Sequence, residues 1–194
     1  MHCCFFASDK EIEVFDIRKA KLFAIYPKWG PDFQVSFEIT VNKLPTALWT
    51  NVIHCTIGKD HGAYGDRNPS IWVNKDGYLL ITAAVNGNVN YHYNHHFEVR
   101  KPFNLTIRQS TTVGITLFEI IVNEQQVHSI VNTKAQAFTK MHVYTSDPWY
   151  PGFTNVLGSV KNLEILSGAN CLKGLIHQPV IKSNVSCKTS FYDQ

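Results

Sequence analysis

Three stretches of this sequence gather side chains that can hold a polar ligand. Residues 58–69 read GKDHGAYGDRNP. Asp60, Asp66 and Arg67 could hydrogen-bond hydroxyl groups there, and Tyr64 could stack on a ring face; the plainer reading is an ordinary loop in which Arg67 pairs with Asp66 or a carbonyl. Residues 85–96, VNGNVNYHYNHH, alternate amides with rings. Asn86, Asn88 and Asn90 share one direction, while Tyr91 and Tyr93 share the other with His95. Amides and rings suit sugars, which offer hydroxyls on one side and C–H faces on the other. The plainer reading is a polar outer sheet face with half-buried tyrosines. Residues 146–153, SDPWYPGF, carry Trp149 and Tyr150 as stacking candidates. Asp147 could orient a ligand or serve a calcium ion, and an aromatic lid over the core is the alternative.

Other chemistries are poorly served. His92, His95 and His96 suggest a metal, but strand residues i and i+4 lie about 13 Å apart and adjacent ones point to opposite faces. Zinc needs ligands at about 2 Å, so a strand cannot share one ion among them. No Ser/His/Asp or Cys/His spacing and no phosphate-cradling glycine loop occurs.

The elements that would present these stretches are strands. In FQVSFEITV, Phe33, Val35, Phe37, Ile39 and Val41 fall on one face and polar residues on the other, the pattern of a strand with one buried side. FNLTIRQS repeats it, with Phe103, Leu105 and Ile107 inward and Asn104 outward. Lys75-Asp76-Gly77, Asn86-Gly87-Asn88 and Glu124-Gln125 mark hairpin turns. FTKMHVYTS and VKNLEIL close the β region, and no helical stripe of useful length exists. A dozen strands without crossover helices predict antiparallel sheets packed face to face.

Composition sets the limits. Of 194 residues, 44% are hydrophobic and 17% charged, enough for a sizeable core and too ordered a mix for a disordered chain. The net charge of +3 is scattered, with no Lys/Arg block, so the footprint of a nucleic-acid binder is missing. No run approaches the roughly 20 apolar residues of a membrane helix. The sequons Asn104-Leu105-Thr106 and Asn184-Val185-Ser186 point to glycosylation and secretion. Cys3, Cys4, Cys55, Cys171 and Cys187 lack zinc spacing. Cys171 and Cys187 could pair with each other or pin the tail to Cys3 and Cys4, while Cys55 sits in an apolar strand. The odd count leaves one thiol free or paired between chains.

The ordered pieces from Phe33 to Leu166 (FQVSFEITV, WTNVIHCTIGKDHGAYGDRNPSIWV, KDGYLLITAAVNGN, FNLTIRQS, LFEIIVNEQQVHSI and MHVYTSDPWYPGFTNVLGSVKNLEIL) resemble the concanavalin A-like or laminin-G-like jelly rolls of animal, marine-invertebrate-type extracellular proteins. The resemblance implies an all-β, two-sheet antiparallel jelly-roll sandwich over residues 1–166, with residues 167–194 a tail disulfide-stapled to the same domain. It also implies calcium at the sandwich rim, where Asp147 is the candidate. EIEVFD, with Glu11, Glu13 and Asp16, resembles the acidic strand of jelly-roll glucanases, whose carboxylates about 5 Å apart run retaining hydrolysis; an edge strand guarded by acids is the simpler account. The fold hosts many functions. The expectation is therefore a secreted, non-enzymatic carbohydrate-binding domain using a loop rim. The alternatives are a structural or adhesive module for an extracellular protein partner, disulfide-linked or non-covalently oligomeric, then a glycosidase, then a carrier of a small apolar molecule. Convergence of Trp149, Tyr150, Tyr91 and Tyr64 on one surface would favour a ligand site.

Overall fold

The computed structural model describes residues 14–17, 20–150 and 157–168, and places twelve strands among them. In chain order they are β1 (Val14–Asp16), β2 (Lys21–Trp29), β3 (Phe33–Val41), β4 (Trp49–Thr56), β5 (Ser70–Asn74) and β6 (Tyr78–Val85). The second half holds β7 (Asn88–His96), β8 (Phe103–Thr112), β9 (Ile115–Val122), β10 (Gln125–Val131), β11 (Phe138–Thr145) and β12 (Gly158–Ser167). They form two antiparallel sheets of six, ordered β1-β12-β3-β8-β9-β10 and β2-β11-β4-β5-β6-β7. This is the two-sheet antiparallel sandwich that the alternation predicts and that the jelly-roll resemblance implies. No helix among the described residues is long and apolar enough to cross a membrane.

Period-two patterning places the core. All five apolar residues of β3 are buried and its polar residues are half-buried, so the register read from sequence holds. β8 pairs beside it in the same phase, Phe37 opposite Leu105 and Val35 opposite Ile107. Asn104 is exposed, as a glycan acceptor requires. From the facing sheet, Ile53, Cys55, Ile71, Val73, Leu79, Ile81, Met141 and Val143 complete the core. Cys55 is a free, fully buried thiol whose ionisation burial pushes well up. Cys3, Cys4, Cys171, Cys187 and Asn184, with Glu11 and Glu13, lie outside the described residues.

The second sheet departs from simple alternation. β4 and β5 are buried almost throughout, on both faces. The inner face meets the core. The outer face lies under two loops, residues 57–69 and 146–150, and that cover organises the site.

Asparagine or glycine stands at most of the positive-φ positions of the hairpin turns. Asn86-Gly87 has φ of 53° and 81°, as a tight hairpin requires of its two central residues. The β9–β10 turn is Asn123-Glu124, with φ of 47° and 67°, one residue earlier than the sequence suggests.

Candidate functional site

The outer face of the second sheet carries a line of rings. Strand parity puts Met141 and Val143 of β11 into the core and turns His142 and Tyr144 outward. Register sets Tyr144 opposite His54 of β4 and Leu22 of β2, and His142 opposite Thr56 and Ile25. Trp149 arrives from the 146–150 loop. Its ring lies 5.3 Å from His54 and 6.0 Å from Tyr144, standing at 74° to the latter. Tyr144 and His142 are nearly parallel, 16° apart with centroids at 6.4 Å. The result is an open corner whose floor is Tyr144 and His142 and whose wall is Trp149. Trp149 is 38% exposed, and Leu22 and Ile25 flank the floor at 45% and 51%.

Behind the wall the polar groups are spent on structure. His54 is buried; its Nδ1 lies 2.7 Å from Asp147 Oδ2 and its Nε2 2.6 Å from the Asp66 carbonyl. Asp147 Oδ1 accepts the amides of Trp149 and Tyr150. Asp66 Oδ2 accepts the Ala63 amide. Arg67 donates to the Asp60 carboxylate at 2.8 Å and to its carbonyl, with its guanidinium 4.9 Å from the Trp72 ring centroid. Tyr150 meets Trp72 edge-on at 4.7 Å. Tyr64 donates to the carbonyls of Ala84 and Lys134 and packs near Phe138. The same Phe138 ring lies 2.5 Å from where a Cβ on Gly65 would stand, at φ +113°, so the loop needs glycine there.

These contacts give several of the expected ligand groups partners within the fold. Tyr64, Arg67 and the Asp66 carbonyl tie the 58–69 loop to the sheet, and the Asp60 and Asp66 carboxylates hold the loop to itself. His54, Asp60 and Asp147 do bring one potential ligand atom each within 4.8 Å of one another. Both Asp147 oxygens and both His54 nitrogens also make hydrogen bonds within the fold, so the cluster serves as a latch between loops.

The 86–96 segment lies elsewhere. β7 is the edge strand of its sheet, three strands from β4. Tyr91 and Tyr93 point inward and close the sandwich against β10: the Tyr91 hydroxyl meets His128 Nε2 at 2.8 Å, and Tyr93 stacks on His128 at 4.8 Å. Asn86 clamps residues 131–133 through its amide group, and the Asn88 Oδ1 accepts the Asn90 amide. The 58–69 and 146–150 loops meet over β4 and β5, and Tyr64 of the first reaches Ala84 and Lys134, near the start of the 86–96 segment, while the β7 strand itself runs along the sheet edge. Of the four rings, Trp149 packs on His54 and Tyr144, Tyr150 on Trp72, Tyr64 near Phe138 and Tyr91 on His128. Sequence reasoning missed His54, His142 and Tyr144. The alternation in FTKMHVYTS carried the signal for the last two, because apolar Met141 and Val143 oblige their neighbours to face out.

No family model and no curated protein matches the chain. Solved structures share its architecture. A SAP-like pentraxin from Limulus polyphemus is similar with a TM-score of 0.51 and 15% identity, covering 77% of this chain and 70% of that one. An HCR/D mutant gives 0.52 and 16%, covering 80% and 43%. A Trypanosoma rangeli sialidase gives 0.49 and 12%, covering 69% and 20%. The chain thus spans less than half of the HCR/D chain and a fifth of the sialidase. The likeness places it among jelly-roll sandwiches and extends to the fold alone.

Proposed function

We propose that this domain binds carbohydrate at the corner of Trp149, Tyr144 and His142. The observation that carries the reading is the exposed indole standing across a floor of two near-parallel rings. A pyranose ring can lay its C–H face on such a floor while the wall contacts its edge, and flat rings held by a rigid sheet lose little entropy on binding. The reading keeps Trp149 from the expected set and replaces the wider rim with one face. Around the corner the carboxylates of Asp60, Asp66 and Asp147 are each bonded inside the fold, which supports binding over hydrolysis. A secreted, animal extracellular setting, a glycan on Asn104, and a tail of residues 167–194 stapled through the cysteines belong to the same proposal.

A second reading, docking of an extracellular protein, draws on the exposed Leu22 and Ile25 beside the rings. A glycan array run with calcium and with chelator separates the two. Trp149→Ala and Tyr144→Ala should each weaken glycan binding about tenfold or more, near 1.4 kcal/mol. The melting temperature should fall by only a few degrees, since each ring is partly exposed. Variants that bind as the wild type, or that lose binding only by unfolding, would defeat the carbohydrate reading.

A further inference from the structure

The wall of the corner hangs from a chain of hydrogen bonds that begins inside the fold. The Trp149 and Tyr150 amides donate to Asp147 Oδ1 at 3.1 and 2.7 Å. The Asp147 amide in turn donates to Asn51 Oδ1 at 3.1 Å. Asp147 Oδ2 meets His54 Nδ1 at 2.7 Å, and the opposite nitrogen of that ring meets the Asp66 carbonyl at 2.6 Å. A peptide carbonyl only accepts, so Nε2 must carry a proton, and the Nδ1–Oδ2 contact shares another. His54 and Asp147 are both fully buried, so bulk water does not compete for either bond. The ring also lies between two indoles, Trp149 at 5.3 Å and Trp72 at 5.8 Å.

We infer that His54 is the positioning residue of the corner, with one arm to each of the two loops that cover the sheet. The Nδ1 arm fixes Trp149 through Asp147. The Nε2 arm fixes the 58–69 loop through Asp66. For its bearing on ligands the inference rests on the carbohydrate reading; for its structural content it does not.

The two arms can be cut separately. An asparagine amide reaches the place of Nδ1 and a glutamine amide the place of Nε2. His54→Asn therefore keeps the bond to Asp147 and loses the one to Asp66, and His54→Gln does the reverse. Residue-resolved amide hydrogen exchange on the full chain reads both arms without any ligand. His54→Gln should speed exchange at Trp149 and Tyr150 by about tenfold or more while the Ala63 and Asp66 amides, which bond within their loop, stay protected. His54→Asn should show the opposite split. Asp147→Ala, which leaves the ring and its Asp66 bond in place, should free the Trp149 and Tyr150 amides as His54→Gln does. If neither His54 variant folds, protected Trp149 and Tyr150 amides in Asp147→Ala would still overturn the arm through Asp147. Equal loosening of both loops by the two His54 variants, or protected Trp149 and Tyr150 amides in Asp147→Ala, would show that His54 merely fills the sheet face. On the glycan array, His54→Gln should lose about tenfold in signal and more than His54→Asn loses. An exchange split as expected in a wild-type chain that holds no glycan on the array would overturn the carbohydrate reading and leave the positioning role standing.

Discussion

Arg67 shows how burial decides what a charged residue is for. Its position in a polar, glycine-rich loop suggests a hand held out to a ligand. Instead its side chain is only 13% exposed, bonded to Asp60 and laid over Trp72. Removing it would strand the Asp60 carboxylate, itself 13% exposed, without its counter-charge. Breaking a largely buried pair in this way costs about 3 kcal/mol. Arg67→Ala should accordingly lower the midpoint of chemical denaturation, and any loss of ligand binding should follow from the loosened loop. If the variant proves as stable as the wild type while binding fails, Arg67 touches ligand directly. Trp149 is the counter-case. It leaves more than a third of its surface open although its amide is fixed, which is the combination expected of a contact residue on a rigid support.

At the scale of elements, the hairpins separate turns built for their residues from one that is not. Asn86-Gly87 and Val113-Gly114 both hold two residues at positive φ. Asparagine and glycine tolerate that region. Valine, branched at Cβ, does not, yet Val113 sits at φ 51° and is 96% exposed, with no packing to hold it there. A residue in this state stores about 1 kcal/mol or more. Val113→Asn, which restores the favoured Asn-Gly pair between Thr112 and Ile115, should raise stability by about 1 kcal/mol in a urea titration. A neutral or destabilising result would mean that the turn relaxes in solution to another geometry. Pairing elsewhere is tighter: a Cβ on Gly158 would stand 2.0 Å from the Thr40 carbonyl, so the close approach of β12 to β3 depends on glycine.

Across the whole molecule, one side of the sandwich is closed by imidazoles. Tyr91 and Tyr93 of β7 meet His128 of β10 at the edge where the two sheets come together, and His95 stacks on Tyr93. Burial lowers the pKa of His128, and burial together with the neighbouring His96 lowers that of His95, from an ordinary 6.5. The unfolded chain thus takes up protons near pH 6.5 that the folded chain still refuses. Where the unfolded state binds more protons, stability falls as pH falls. The loss should begin near 6.5 and level off below the lowered folded-state values. Thermal unfolding from pH 7.5 to 5 should show a declining melting temperature, and His128→Gln, which removes one of the two titrating rings, should flatten the decline. An unchanged slope in that variant would place the pH dependence elsewhere.

The sequence alone determined the strands, most of their turns and the inward face of the core. Each of these is a local property: alternation over neighbours decides which side of a strand is buried, and Asp-Gly or Asn-Gly decides where it turns. Phe33 to Val41 could be read to the residue for that reason. The outward pair His142 and Tyr144 was legible by the same parity. What only the tertiary structure decided is which loops fold back on the sheet. His54 and Asp147 are 93 positions apart, Tyr64 and Lys134 are 70 apart, and Tyr91 and His128 are 37 apart. No local period links such partners. An exposed-looking acid in a polar loop and a buried one clasping a histidine have the same sequence neighbourhood, and they differ only in what the packed sheets bring to meet them.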